Sequence, residues 1–192
     1  MRPNIHMHVA SVLSLPEDWS ESFDLVHQRF MVGALRVEDW PVALAELFRV
    51  LKPEGGIQLV EFVFKSPCED GPMRRHFDLL GRLFQSHGLL REVATELPGL
   101  LRTAGFVNVA YEEKIVPFGN AREWGEDAAA QANNHISILR ETGHFVVGAG
   151  LIGSQKEYDE LLEDYERELR EKGTLNTVRM ICARKPIAAG SS

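Results

Sequence analysis

The chain of 192 residues (21.6 kDa) is 44% hydrophobic and 26% charged. This balance excludes an intrinsically disordered protein and allows one domain with a sizeable core. Its 28 acidic and 21 basic residues give a net charge of −7, which argues against a surface built to bind nucleic acid or anionic lipid.

Cysteine content and the first residues indicate the inside of a cell. The two cysteines, Cys68 and Cys182, are too few for a disulfide framework or a four-cysteine zinc site. No apolar stretch approaches the roughly 18 residues of a membrane span, and the N-terminus lacks the apolar segment of a secretory signal. We therefore expect a soluble protein with no membrane partner, in the cytoplasm.

The N-terminal part of the chain alternates between strand and helix signals. Residues 5–9 have an apolar side chain at every second position, and residues 23–27 are typical of a buried strand. A helix is predicted over 39–51 from its apolar spacing, and the proline and glycines of 52–56 end it. Residues 57–64 are almost continuously apolar, like a strand covered on both faces. This order predicts a βαβ unit with parallel strands.

The rest of the chain predicts four helices and two strands. The helices are expected over 74–86, 97–104 (with Pro98 in the first turn), 121–140 and 156–172, and the strands over 106–117 and 175–183. The last helix carries an apolar face that must pack on the sheet's own helices, on a pocket mouth or on a second subunit: Tyr158, Leu162, Tyr165 and Leu169.

One domain is expected over residues 1–186. Residues 119–174 form a helical insertion before the last strand, which we interpret as a lid, and residues 187–192 form a flexible tail. Residues 145–153 contain a G-x-G-x-x-G pattern, but no acid for a ribose ends the following strand, so a turn between two helices is favoured. His6 and His8 alternate like a metal pair without a suitably spaced third ligand, so no metal site is predicted.

The most specific motifs lie between Leu13 and Phe64. They are Leu15-Pro16, the string SFDLVHQR over 22–29 and the string AELFRVLKPEGG over 45–56. These motifs resemble those of class I S-adenosylmethionine-dependent methyltransferases, and FDLVHQR and LVEF are most similar to the fungal LaeA-type branch of secondary metabolism. Glu54 stands where the family has a glycine.

The resemblance implies an α/β fold with a Rossmann-like methyltransferase sheet. In that sheet, strands 23–27 and 57–64 are parallel neighbours, and the last strand is antiparallel, between 57–64 and 106–117. The family's glycine-rich turn and the acid that binds the donor ribose belong before Ile5, where this sequence has four residues. We therefore expect an N-terminally truncated sheet and weak donor binding by these residues alone.

The resemblance also implies S-adenosylmethionine as the methyl donor and a small molecule as the substrate. Ligands of open α/β sheets lie beyond the carboxyl ends of the strands. The donor is therefore expected against Ser11, Val12, His27, Gln28 and Arg29. The substrate is expected against Phe30, Glu61, Trp124 and His135. No catalytic residue is predicted, because the sulfonium carries the reactivity and the enzyme mainly aligns the reactants.

Several of these residues have structural alternatives. His27 is either a ligand contact or a core histidine, and Glu61 is either a strand-end acid bonded within the protein or a substrate contact. Arg29 either binds a carboxylate or pairs with Glu46 or Asp39, and we favour the ion pair. The two substrate candidates on the inserted helices are either pocket residues or ordinary helix surface.

Two functions follow from these observations. The favoured one is a small-molecule methyltransferase, and a binding titration with S-adenosylmethionine tests it. The alternative is a non-catalytic methyltransferase-like protein with a binding or regulatory role, for which the resemblance to LaeA-type proteins implies a location in the nucleus. A homo-oligomer or a protein partner is left open under both.

Overall fold

The computed structural model describes residues 4–66 and 68–187, so the predicted tail lies outside the described residues apart from Ile187. The strands are β1 (Phe23–Arg29), β2 (Leu51–Phe62), β3 (Val107–Phe118) and β4 (Thr174–Arg184). The helices are a 3-10 turn (Glu17–Trp19), α1 (Asp39–Val50), α2 (Gly71–Ser86), α3 (Val93–Thr103), α4 (Ala121–Gly148) and α5 (Gln155–Lys172). None of these helices is long and apolar enough to cross a membrane.

The four strands form one mixed sheet in the order β1-β2-β4-β3. β1 and β2 are parallel, and β4 runs antiparallel to both of its neighbours, β2 and β3. The helices α4 and α5 lie between β3 and β4 in the chain. The predicted α/β sheet, its strand order and the helical insertion before the last strand are confirmed.

One face of the sheet packs on α1 and α3. The alternating burial of β2 places every second side chain in this core, which also contains buried residues of both helices and of β4: Trp40, Leu44, Leu97, Leu101 and Ile181. β1 is less buried than predicted, since Leu25 on the opposite face is 63% exposed. The strand order leaves β1 at an edge, and no described residue pairs with its outer side.

The helices α2, α4 and α5 pack together as a second layer, called here the helical layer. All four residues of the predicted α5 face, Tyr158, Leu162, Tyr165 and Leu169, are buried there. Phe62 at the end of β2 and Phe118 at the end of β3 join this layer to the sheet. Of the three coverings considered for this face, the structure shows packing on other helices of the same chain.

Two predicted elements are wrong. Residues 5–9 are irregular and exposed, because no described strand lies beside them to satisfy their backbone groups. Pro98 is not in a first turn, since α3 begins at Val93 and the proline lies inside the helix. A proline at this position leaves the carbonyl of Ala94 without its helical donor, and Arg179 Nη1 donates to that oxygen at 3.0 Å.

The glycine pattern over 145–153 is not a phosphate-binding turn after a strand. Its apolar run forms the end of α4, and the glycines form the connection to α5, as the alternative interpretation predicted. Gly150 has a positive φ of 66° in this connection.

Candidate functional site

The candidate site is the carboxyl edge of the sheet, where the parallel strands β1 and β2 end side by side. Residues 30–32 leave β1 at this edge and are called here the edge loop. The Phe30 amide still donates to Val60 O at 2.9 Å, but its φ of 56° turns the chain away from the sheet. The Phe30 ring stacks on Phe62 at 4.7 Å between centroids and stays 42% exposed. The edge loop therefore presents an aromatic surface at the end of two strands.

Glu61 lies beneath the edge loop with only 1% of its surface exposed. Its Oε1 accepts from the Met31 amide at 2.6 Å, and its Oε2 lies 3.4 Å from the Val32 amide. Burial raises the pKa of this carboxyl to about 7, although the two amide hydrogen bonds act in the opposite direction. Among the described residues no cation is paired with it. Its hydrogen bonds thus go to the loop, and its burial keeps it out of reach of a ligand at the surface.

A row of rings connects the edge loop to the helical layer. Phe62 contacts Phe118 edge-on at 6.1 Å, and Phe118 contacts His135 of α4 at 5.5 Å. Tyr165 of α5 lies 6.0 Å beyond His135. Burial lowers the pKa of His135 to about 4, so its imidazole is neutral near neutral pH. Such a row suits an apolar or aromatic ligand with a neutral hydrogen-bonding group.

Three residues that were predicted to bind the methyl donor lie at the end of β1. His27 Nδ1 is 2.9 Å from Gln58 Oε1 on the face that α1 and α3 leave uncovered, so His27 is not a core histidine. Gln28 is half-buried, and Arg29 is exposed with its guanidinium carbon 5.8 Å from the Phe30 ring centre. All three are within the strand that leads into the edge loop.

The favoured ion pair of Arg29 is wrong. Glu46 pairs with Arg49 at 2.8 Å, and Asp39 accepts from the Arg36 amide at 2.9 Å. No described carboxylate pairs with Arg29. Its side chain is therefore free to contact a ligand anion at the carboxyl edge.

The structure does not bring the other candidates into hydrogen-bond or ring contact with the edge loop. Ser11 Oγ accepts from the Leu13 amide at 3.2 Å within a tight turn, and Val12 packs against the sheet core. Trp124 packs against Gly173 where α5 meets β4. These three residues remain predicted contacts of a ligand that reaches beyond the edge loop.

Phe62 and Phe118 belong to the site and were not predicted. Phe62 could have been found from its place beside Glu61 at the end of a strand. Phe118 could not, because it is 56 residues further along the chain and meets Phe62 only through the strand order β2-β4-β3.

A depression of about 570 Å³ lies elsewhere, beside the last turn of α1. Arg49 lines this depression, and its guanidinium donates to Leu15 O at 3.0 Å, Ser20 Oγ at 2.7 Å and Glu46 Oε2 at 2.8 Å. The hydrogen bond from Arg49 lowers the pKa of Glu46 to about 2. Since α1 runs back from the carboxyl edge, its last turn lies at the other end of the sheet. We interpret this depression as a clamp on the N-terminal segment and not as the ligand site.

The carboxyl edge fits only part of S-adenosylmethionine. The exposed Phe30 ring and the fixed backbone of the edge loop match the adenine or the thioether end of the donor. Glu61, at the end of β2, is not placed to bind the ribose of the donor, because both of its oxygens face amides of the edge loop.

Comparison with known proteins finds similarity to methyltransferases. Residues 1–59, which include β1, the edge loop and most of β2, match the family model for a methyltransferase domain. The N-methyltransferase tcpN of Claviceps purpurea is 27% identical over 180 residues, or 89% of this chain. The N-methyltransferase verN of Clonostachys rogersoniana is 28% identical over 190 residues, or 95% of this chain. These matches are similarities to methyltransferases at less than 30% identity.

The chain is shorter than these relatives. The alignments span 63% of tcpN and 64% of verN. A third relative, the N-methyltransferase sirN of Leptosphaeria maculans, is 25% identical over 197 residues and is spanned to 66%.

Proposed function

We propose that this chain serves the transfer of a methyl group from S-adenosylmethionine to a nitrogen of a small molecule, in secondary metabolism. The observation that carries the proposal is the edge loop, an exposed aromatic surface fixed by Glu61 and Phe62 at the carboxyl ends of two parallel strands. This edge is where open α/β sheets bind their ligands. Support for nitrogen as the acceptor comes from the three relatives, all named N-methyltransferases. Placement in the LaeA-type branch stays a prediction.

The residues of the chain would hold the donor at the end of β1. His27, Gln28 and Arg29 lead into the edge loop, and Arg29 offers a free cation for the carboxylate of the methionine moiety. Phe30 offers its exposed ring for the adenine or the thioether. The donor supplies an electrophilic methyl group when it is bound, so the protein has to align it with the nucleophile and exclude water.

The acceptor would lie on the side of the helical layer. Phe62, Phe118 and His135 follow one another from the edge loop towards α4. A neutral His135 can accept a hydrogen bond from an amine N–H, whereas a charged imidazolium would repel a protonated amine. This arrangement favours a neutral, partly aromatic acceptor over an anionic one.

A titration followed by nuclear magnetic resonance tests donor binding. We expect S-adenosylhomocysteine to shift the backbone amides of residues 27–32 saturably, with a dissociation constant in the millimolar range or weaker. Such an affinity corresponds to about 4 kcal/mol or less of binding free energy. Phe30→Ala should weaken binding by about two- to tenfold, the value of one stacked ring.

The matched control is Phe145→Ala, because Phe145 is similarly exposed, at 51%, but lies on α4. It should leave the affinity unchanged. If no concentration of S-adenosylhomocysteine gives saturable shifts at residues 27–32, the methyltransferase proposal fails for this chain and the binding or regulatory role is favoured.

A further inference from the structure

A second group of rings lies just beyond the end of β2 and holds a guanidinium. Phe64 stacks on Phe77 of α2 with 4.5 Å between the ring centroids, and it lies 5.3 Å from the ring of Phe84. The guanidinium carbon of Arg91 is 4.6 Å from the Phe64 ring centre and 4.8 Å from the Phe77 ring centre. Such contacts attract the cation and fix its position. The group of Phe64, Phe77 and Arg91 is called here the arginine platform.

The arginine platform belongs to the same edge of the sheet as the candidate site. Phe64 comes two residues after Phe62, with which β2 ends. The chain just before Arg91 is tied to the chain that follows the edge loop, because the segments 36–37 and 88–89 are joined by a β-bridge and by a backbone hydrogen bond of 2.9 Å. The platform therefore lies beside the site proposed for the reactants.

Arg91 differs from two other arginines that are withdrawn from water. The side chains of Arg49 and Arg179 are 31% and 13% exposed, and both donate hydrogen bonds to carboxylate and carbonyl oxygens of the chain. The Arg91 side chain is 34% exposed, yet among the described residues none accepts a hydrogen bond from it. Its Nε is buried without such a partner, and Glu92 Oε1 lies 3.4 Å from that atom. Since an unsatisfied donor is unfavourable, a guanidinium that only packs would be expected to be bonded like the other two.

The charges around Arg91 favour a neutral oxygen as its partner. Glu92 already supplies one negative charge beside the guanidinium, and a ligand carboxylate would bring a second one close to it. A carbonyl oxygen brings no charge and still accepts a charge-assisted hydrogen bond from the Nη groups, which the exposed third of the side chain leaves open. The neighbouring rings suit an apolar or aromatic part of the same molecule.

We propose that Arg91 is a specificity-determining residue for the methyl acceptor. The arginine platform binds a carbonyl oxygen of a neutral, partly aromatic molecule through the Nη groups, and the rings of the carboxyl edge contact its apolar part. The name methyl acceptor rests on the proposed function, whereas the carbonyl site itself rests only on the platform.

A titration of the 192-residue chain with benzamide at pH 7, followed by nuclear magnetic resonance, tests the carbonyl site. Benzamide should shift the backbone amides of residues 64 and 91 saturably, and benzoate should bind more weakly. Arg91→Met keeps an apolar side chain on the rings but removes every donor, so it should weaken benzamide binding by about tenfold. Arg82→Met, an exposed substitution on α2, is the matched control and should leave the affinity unchanged.

Gly81→Ala displaces the guanidinium without removing it. A Cβ at Gly81 of α2 would lie 2.8 Å from Arg91 Nη1, so the side chain has to move away. Alanine also favours the helix more than glycine does, which keeps this variant folded. It should weaken benzamide binding several-fold, and it gives the answer even if Arg91→Met fails to fold.

A second titration with S-adenosylhomocysteine separates this proposal from the proposed function. Benzamide that binds at Arg91 in a chain that does not bind S-adenosylhomocysteine would keep the carbonyl site and reject the donor site. Where both bind, saturating S-adenosylhomocysteine should leave the benzamide affinity unchanged, and competition between them would overturn the acceptor role. Absence of saturable shifts at residues 64 and 91, tighter binding of benzoate, or an unchanged affinity in both Arg91→Met and Gly81→Ala would overturn the carbonyl site.

Discussion

The helical layer and the carboxyl edge both bury polar side chains, but they satisfy them differently. In the helical layer, the Tyr158 hydroxyl donates to Leu139 O at 2.7 Å and lies 2.8 Å from Thr142 Oγ1 and 3.2 Å from His76 Nε2. These bonds join α2, α4 and α5, so the whole layer must separate before any of them is lost. At the carboxyl edge, both hydrogen bonds of Glu61 go to the amides of two consecutive loop residues, Met31 and Val32, so they join only β2 and the edge loop.

The two buried glutamates make the same contrast. Burial tends to raise the pKa of Glu168 as well, but the hydrogen bonds from Lys172 and from the Met73 amide outweigh it, and the pKa is lowered. Burial prevails at Glu61, whose pKa rises to about 7. A cation one helical turn away therefore keeps Glu168 ionised near neutral pH, whereas Glu61 lacks such a partner among the described residues. The partner of a buried acid, more than its depth, thus decides in which pH range the acid ionises.

The largest expected effect is that the two regions respond to pH in opposite directions. The pKa of Glu61 in the folded chain is about 7 against an ordinary 4.5, so its contribution is fully present below pH 4.5 and is lost as pH rises through 7. The loss is about 3 kcal/mol of unfolding free energy. Burial lowers the pKa of His76 from 6.5 to about 3, so its contribution is present above pH 6.5 and is lost as pH falls.

Urea unfolding at a series of pH values measures both contributions. Glu61→Gln should flatten the loss between pH 4.5 and 7, and His76→Gln should flatten the loss below pH 6.5. Equal pH profiles for Glu61→Gln and the unaltered chain would contradict the assignment of the carboxyl edge as the acid-stabilised region.

The sequence predicts well those elements that depend on the local spacing of apolar residues. It does not predict features that depend on contacts between distant parts of the chain. The helix over 39–51 and the strand over 57–64 follow from apolar periodicity, and the structure places α1 and β2 there. The alternation of residues 5–9 is equally clear, yet a strand needs a neighbour, and spacing cannot show one. The interior position of Pro98 depends on Arg179, which is 81 residues away in the chain and supplies the donor for Ala94 O.

The candidate site was predictable to a similar extent. The strand-end position of His27, Gln28, Arg29 and Phe30 follows from the βαβ order, so these residues were placed at the correct edge. The contact of Glu61 with the loop joins residues 29 and 30 positions apart and requires the parallel register of β1 and β2. Contacts of this kind depend on packing and not on any local pattern.

The next effect concerns the hydroxyl groups of the helical layer. Tyr158→Phe removes a buried hydroxyl with several partners and leaves the carbonyl of Leu139 with one donor fewer. We expect it to lower the unfolding free energy by about 1–3 kcal/mol. Tyr165→Phe is the matched control, since Tyr165 is also buried, at 6% exposure, but its hydroxyl makes no hydrogen bond with the described residues.

Chemical unfolding followed by far-ultraviolet circular dichroism gives both values. Tyr165→Phe should change the unfolding free energy by less than about 0.5 kcal/mol. If the two substitutions lower the unfolding free energy equally, the hydrogen bonds of Tyr158 do not stabilise the helical layer. The difference between the helical layer and the carboxyl edge would then lie in apolar packing alone.

The smallest effect compares the two ends of the sheet through a pair of strained residues. Glu54 has a φ of 64° in the turn-like first part of β2, and Phe30 has a φ of 56° at the carboxyl edge. A non-glycine residue in this left-handed region is less favourable than glycine by about 1 kcal/mol. The exposed Glu54 side chain forms no hydrogen bond among the described residues, so Glu54→Gly should raise the unfolding free energy by up to about 1 kcal/mol. Glu54→Ala keeps the strain and should change the unfolding free energy little.

Phe30→Gly relieves the same strain but removes the ring stacked on Phe62, which contributes about 0.5–1.5 kcal/mol. We therefore expect Phe30→Gly to leave the unfolding free energy unchanged or lower it, and urea midpoints of the three variants measure the difference. A stabilising Phe30→Gly would show that the ring contributes nothing to the folded chain, whereas a destabilising Glu54→Gly would show that the turn is not strained.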